Sequence, residues 1–184
     1  MRKNPDMISE LTAEQYNHDA ELVREAREGS RAAFDALFNR HRRFVYNVCY
    51  RILGSRDDAV DATQAAFIQA YRALNRFRGD SAFRSWLYRI AVNSCTGMLR
   101  QELRQRQRLQ EIDPDPPRDE PRDDVWEAIL QLCPDMRAAL VLFYFEGLNG
   151  VELAQALGCS DGAARTRLHR ARIAFKRKYE EIQR

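Results

Sequence analysis

The sequence predicts an all-α protein of two small helical domains. Three observations carry that expectation. Apolar residues recur at three- and four-residue spacing through most of the chain. Glycine (8) and proline (6) are scarce among 184 residues, and 31% of the chain is charged. Four of the six prolines fall in one acidic stretch, Asp113 to Asp124. Proline lacks an amide donor and disfavours helix in its predecessor, and like charges repel, so this stretch is expected to be a flexible linker over 111–124. It divides the chain into 19–110 and 125–184, each within the size that folds alone. Residues 1–18 show no periodicity and are expected to form a flexible extension.

The elements follow in order. A short helix over Asp19–Glu28 is expected to stop at Gly29. From Ser30 a stripe of Phe34, Leu37, Phe38, Phe44, Val45, Val48, Cys49, Ile52 and Leu53 marks a long helix halted by Gly54. A third helix carries Val60, Phe67, Tyr71 and Leu74. After Arg78-Gly79-Asp80, a fourth shows Phe83, Trp86, Leu87, Ile90, Ala91, Cys95 and Leu99. Its other side holds Arg84, Tyr88, Arg89, Asn93 and Arg100, and positions 89 and 93 stack on one exposed face.

Beyond the linker, helices are expected near Asp124–Leu132, Asp135–Glu146, Val151–Leu157 and Asp161–Glu180. Gly158 suits the left-handed conformation that ends a helix, and Ser160 suits an N-cap. Ala154 is placed where two helices cross, with Leu157 and Leu168 behind it. Small residue, glycine and cap in that order mark a helix-turn-helix.

Several classes are disfavoured. No apolar run approaches the roughly 18 residues that span a bilayer. The N-terminus lacks the apolar core of a signal peptide, so the expected location is the cytoplasm. The three histidines, at 18, 41 and 169, pair with no Cys or Ser motif, and no phosphate loop or metal-ligand spacing appears. We therefore expect no catalytic residue, no metal, no cofactor and no small-molecule substrate. Cys49, Cys95, Cys133 and Cys159 lie at least 26 residues apart and read as buried free thiols, with a redox or metal-sensing role as the alternative.

Charge points to nucleic acid through its distribution. The net charge is only +3, but 27 of the 30 basic residues are Arg. Arg forks onto guanine and phosphate, although a GC-rich genome would produce the same bias. The last helix carries Arg165, Thr166 and His169 on one face, suited to base edges. Arg167, Arg170 and Arg172 are better placed for phosphates. Phe67–Asn93 mixes aromatics with Arg around a glycine loop, the combination that holds single-stranded DNA. Phe83, Trp86 and Tyr71 are assigned to the core by periodicity. Phe77, at the loop edge, suits base contact and core packing equally.

Four pieces of the chain resemble the extracytoplasmic-function (ECF) sigma factors of the sigma-70 family. They are Glu21-Leu-Val with Ala26, Gly29 and Ala33-Phe34; Asp57-Asp-Ala-Val-Asp-Ala-Thr-Gln-Ala-Ala-Phe67; Phe77-Arg-Gly-Asp-Ser-Ala-Phe83 through Asn93; and Cys133-Pro134 through Arg172. The resemblance implies an alternative sigma factor that binds core RNA polymerase through its clamp and flap. It also implies recognition of the −35 and −10 elements of promoter DNA and control by an anti-sigma factor, often membrane-bound in this family.

By the resemblance, Phe77 and Asn93 hold an extruded base of the −10 strand, with Arg78, Ser81 and Arg89 along the same strand. Arg165, Thr166, His169 and Arg170 meet the −35 duplex. Asp57, Asp58, Asp61, Gln64 and Phe67 form the clamp-docking element. The chain departs from the family at Ala65, where Glu is usual, and at Leu148-Asn-Gly-Val-Glu152 and Ala163-Ala164. The last two are expected to weaken local packing or capping. A stand-alone helix-turn-helix regulator is the alternative, but it leaves Phe67–Asn93 without a purpose.

Overall fold

A computed structural model describes residues 18–109 and 123–184, with side chains omitted at 106–109. Both flexible segments proposed from the sequence fall almost wholly outside the described residues. Every described element is helical, and no strand occurs among the described residues. None of these helices is long and apolar enough to cross a membrane.

The first domain is four helices. Helix α1 (18–27) ends at Gly29, which takes a φ of 100°. Ser30 then caps α2 (Arg31–Leu53), its Oγ accepting from the Ala33 amide at 3.2 Å. Helix α2 buries Leu37, His41, Val45, Val48, Cys49 and Ile52 along one side, as a 3.6-residue period requires. It stops at Gly54, whose φ of 80° lets its amide donate to the Tyr50 carbonyl at 2.8 Å.

Ser55 caps α3 (Arg56–Ala73), and Asp57 and Asp58 sit in its first turn, where the helix dipole favours acids. The inward stripe of α3 is mostly alanine (Ala59, Ala62, Ala66 and Ala70), so its backbone packs close to α2 and α4. A 3₁₀ turn, Leu74–Arg76, and a loop lead to α4 (Phe83–Leu109). Asp19 fastens α1 to α2 by accepting from Arg40 and pairing with His41 Nε2, each at 2.9 Å. Burial raises the Asp19 carboxyl pKa, but bonding and charge from His41 and Arg40 outweigh burial and hold it below its ordinary 3.8.

Periodicity misassigned two side chains of α3. Val60 and Tyr71 are 43% and 58% exposed, because the alanine stripe turns the opposite face inward. The cysteines divide as well: Cys49 and Cys95 are buried, Cys159 is half-buried, and Cys133 is exposed as the N-cap residue of α6. The bond to the Cys49 thiol, with burial, pushes the Cys95 thiol pKa up.

The second domain begins at Asp123, which caps α5 (Asp124–Leu130) by accepting from the Trp126 amide at 2.8 Å. Helix α6 (Pro134–Leu140) starts on a proline, and a π-helical turn, Val141–Phe145, continues it. Helix α7 (Gly150–Leu157) and α8 (Asp161–Ile182) form the helix-turn-helix. Between them Gly158 has φ 64° and ψ 37°, and the Ser160 side chain accepts from the Ala163 amide. Ala154 is buried at the crossing with Leu168, and Leu157 is half-buried.

The expected loss of capping is not found. Asn149 accepts from the amides of Val151 and Glu152 at 3.0 Å, while Glu152 accepts from the Asn149 amide at 3.0 Å. This reciprocal box satisfies amides that a helix start leaves open. Ala164 is buried and Ala163 receives the Ser160 cap, so that pair also weakens no cap.

The two domains pack directly on each other. Helix α7 lies against α4, and α6 approaches α2 and α4. Arg137, 8% exposed, donates to the carbonyls of Ile52 in the first domain and of Leu130 and Leu132 in its own. Tyr50 stacks on Trp126 with ring centroids 6.2 Å apart, and Arg100 reaches Asp135 at 3.1 Å.

Candidate nucleic-acid interface

The first turns of α8 present Arg165, Thr166, His169, Arg170 and Arg172 to the outside, with Arg167 half-buried. Ala164, Leu168 and Ala171 face inward and fix the rotation of the helix. Arg165 and His169 lie one turn apart, about 6 Å along the axis, with Thr166 beside them. The guanidinium of Arg172 sits 5.3 Å from the Phe143 ring centre and 5.5 Å from that of Tyr144. These contacts restrain the Arg172 guanidinium.

The second group surrounds the start of α4. Gly79 takes a φ of 81° in the loop that carries the exposed Arg78 and the half-buried Ser81. Arg89 and Asn93 are both exposed on α4, as their four-residue spacing predicts. Phe77 is 8% exposed, with ring centroids 5.0 Å from Trp86 and 5.9 Å from Phe83. Of its two readings, core packing is the one this arrangement displays. Stacking on a base requires the ring to leave that cluster.

A third group lies on the outer face of α3, where Asp57, Asp58, Asp61 and Gln64 are exposed. Phe67 does not share that face: it is 5% exposed and meets Phe38 edge-on at 4.7 Å. It supports the face from beneath. Val60, Ile68 and Tyr71, all at least 43% exposed, add an apolar component to the same helix. Sequence reasoning missed these three. The available signal was their rotation away from the alanine stripe.

A buried interdomain cluster was also missed. The Glu146 carboxylate, 7% exposed, accepts from Tyr88 Oη at 2.8 Å and from Arg51 Nη1 at 3.2 Å. Its backbone carbonyl accepts from Arg84 at 3.3 Å. Burial first, then the Glu146 charge and hydrogen bond, pushes the Tyr88 phenol pKa up, so it remains a donor. Tyr88 was expected on the outward side of α4 but is 1% exposed, because the second domain covers it at Glu146, while Arg89 and Asn93 stay exposed. Arg89 packs over Gly158, where a Cβ would lie 2.8 Å from Nε. Among the described residues no group of three or more His, Cys, Asp or Glu is placed to hold a metal ion.

Comparison with known proteins matches both domains. Residues 37–105 match the family model "Sigma-70 region 2", and residues 122–175 match "Sigma-70, region 4". The chain is 36% identical to the RNA polymerase sigma-H factor of Pseudomonas aeruginosa, covering 94% of this chain and 97% of that protein. It is 36% identical to the ECF RNA polymerase sigma-E factor of Escherichia coli K12, covering 89% and 95%. Among solved structures, CnrH in complex with the cytosolic domain of CnrY is similar, with a TM-score of 0.66 and 26% identity over 89% of this chain and 98% of that one.

Proposed function

Since the chain belongs to the sigma-70 family and is an alternative RNA polymerase sigma factor of the ECF group, we propose how its residues divide the work of promoter recognition. The first domain, 19–110, docks on the polymerase clamp and reads the −10 element. The second, 125–184 with its cap at Asp123, reads the −35 element and meets the flap.

On the duplex, Arg165, Thr166 and His169 reach base edges, while Arg167, Arg170 and Arg172 hold phosphates. Arg forks onto guanine; the hydroxyl and imidazole each make single hydrogen bonds. Phosphate contacts add affinity and salt dependence without sequence. On the opened strand, the Asn93 amide offers a donor and an acceptor to an extruded base. Arg78, Ser81 and Arg89 track the backbone beside it. Phe77 joins as a stacking ring once it leaves Trp86 and Phe83. Asp57, Asp58, Asp61 and Gln64 form the clamp-facing surface of α3, with Phe67 as its support. No residue performs bond chemistry: promoter opening uses binding energy, and the polymerase core makes the RNA.

The observation that supports this reading most is the exposure, on two different domains, of a duplex-suited helix face at Arg165–His169 and a strand-suited face at Arg89–Asn93. A stand-alone regulator uses only the first. We further propose a cytoplasmic location and an anti-sigma partner. The similar structure of CnrH holds the cytosolic domain of CnrY, which fits a membrane-bound partner here too.

Reconstitution with core polymerase tests the assignment. Transcription from a subset of a promoter library, absent without the chain, is the expected result. Tight binding to duplex DNA with no capture of core polymerase would overturn it.

A further inference from the structure

We propose that His41 is a positioning residue for reading the −10 strand: its imidazole supports Phe83 and so fixes the loop that carries Arg78 and Ser81. The proposal rests on the −10 reading above. His41 is buried near the middle of α2, where it makes two contacts. Its Nε2 pairs with the Asp19 carboxylate at 2.9 Å and ties down α1. Its ring centre also lies 5.4 Å from that of Phe83, with the planes tilted by 59°, a separation at which aromatic rings attract. The second ring nitrogen, Nδ1, is buried and has no hydrogen-bond partner among the described residues. A buried polar atom left unpaired costs free energy. Hydrogen bonding alone therefore does not account for an imidazole here, and packing against Phe83 does.

Phe83 opens α4, and Phe77 stands at the other end of the loop, after the 3₁₀ turn. Their rings meet edge-on at 5.9 Å, and Trp86 lies 5.0 Å from Phe77 and 5.6 Å from Phe83. Residues 78–82 are thus a short span tethered at both ends to one aromatic cluster, which His41 joins to α2. When Phe77 leaves to stack on a base, one tether is gone. Phe83 and Trp86 remain, and the imidazole holds Phe83 in place. Asn93 is on the same helix, about 15 Å along its axis from Phe83, so holding Phe83 keeps loop and amide in one frame. Removing the ring leaves a void beside Phe83, and a neighbour that relaxes toward it carries the loop out of alignment.

The test uses the full chain in holoenzyme, on a promoter with a pre-melted −10 bubble, after native helicity has been checked by circular dichroism. His41→Gln keeps an N–H for Asp19 and removes the ring. His41→Phe keeps a ring and gives up the bond to Asp19, which retains Arg40. His41→Gln should bind core polymerase as wild type does, yet hold the bubble about fivefold less well. It should also lose discrimination at the same −10 position as Asn93→Ala, while His41→Phe retains both. A residue that only anchors α1 predicts the reverse, a defect in His41→Phe and none in His41→Gln. Should His41→Gln fail to fold, Phe83→Leu withdraws the partner ring instead and is read in the same way. Intact discrimination in the ring-removing variant, where Asn93→Ala is impaired, would overturn the positioning role. Intact discrimination in Asn93→Ala itself would overturn the −10 reading, and this role with it.

Discussion

The Arg89 guanidinium covers Gly158 so closely that a Cβ on residue 158 would stand 2.8 Å from Nε. Gly158 also occupies the left-handed region at φ 64°, where side-chain-bearing residues are strained by roughly 1–2 kcal/mol. Gly158→Ala meets both obstacles, one within the helix-turn-helix and one across the domain interface. Chemical denaturation should show a loss in wild type larger than the roughly 1–2 kcal/mol that backbone strain alone contributes. In an Arg89→Ala background the clash disappears and only the backbone strain remains. An equal loss in both backgrounds would mean that Arg89 simply swings aside.

Acid should release the first helix. Asp19 titrates below its ordinary 3.8 in the folded chain because His41 and Arg40 together outweigh burial. Its stabilising contribution is therefore complete above the unfolded pKa and is lost as pH falls through the lower, folded value. Urea denaturation from pH 7 to pH 3 should show wild type losing stability below about pH 4, with a shallower fall in Asp19→Asn. Parallel curves would place the acid-sensitive group elsewhere.

Much of this architecture was legible in the sequence because caps and glycines act locally. Ser30, Gly54, Gly158 and Ser160 each bound a helix where their chemistry says they must. Asn149 was misjudged by comparison with the family's pattern, although an Asn side chain caps as well as Ser and Glu152 closes the box. Tyr88 was misplaced for a different reason. Periodicity divides a helix into an inner and an outer face, but it carries no information about a second domain landing on the outer one. The Glu146 cluster joins residues 95 and 58 positions apart in sequence, a separation that no local pattern encodes. Phe77 was ambiguous because a ring at a loop edge suits both packing and stacking.

The recognition helix gives separable phenotypes. Arg165→Ala should weaken −35 binding by roughly 1–3 kcal/mol and relax preference at one or two positions. Arg167→Ala should weaken binding about evenly across sequences and reduce the salt slope by about one. A randomised −35 library read out with reconstituted holoenzyme distinguishes them. Identical sequence profiles would remove the distinction between base-reading and phosphate-holding residues.

The most direct measurement is open-complex formation by holoenzyme carrying Asn93→Ala, on a duplex promoter and on one with a pre-melted −10 bubble. Asn93 is exposed on α4, so the variant should fold and assemble with core polymerase as wild type does. Reading of an extruded base predicts that it stays impaired on the bubble and loses discrimination at one −10 position. Full recovery on the bubble, or loss of the first domain's thermal transition, would contradict strand reading by Asn93.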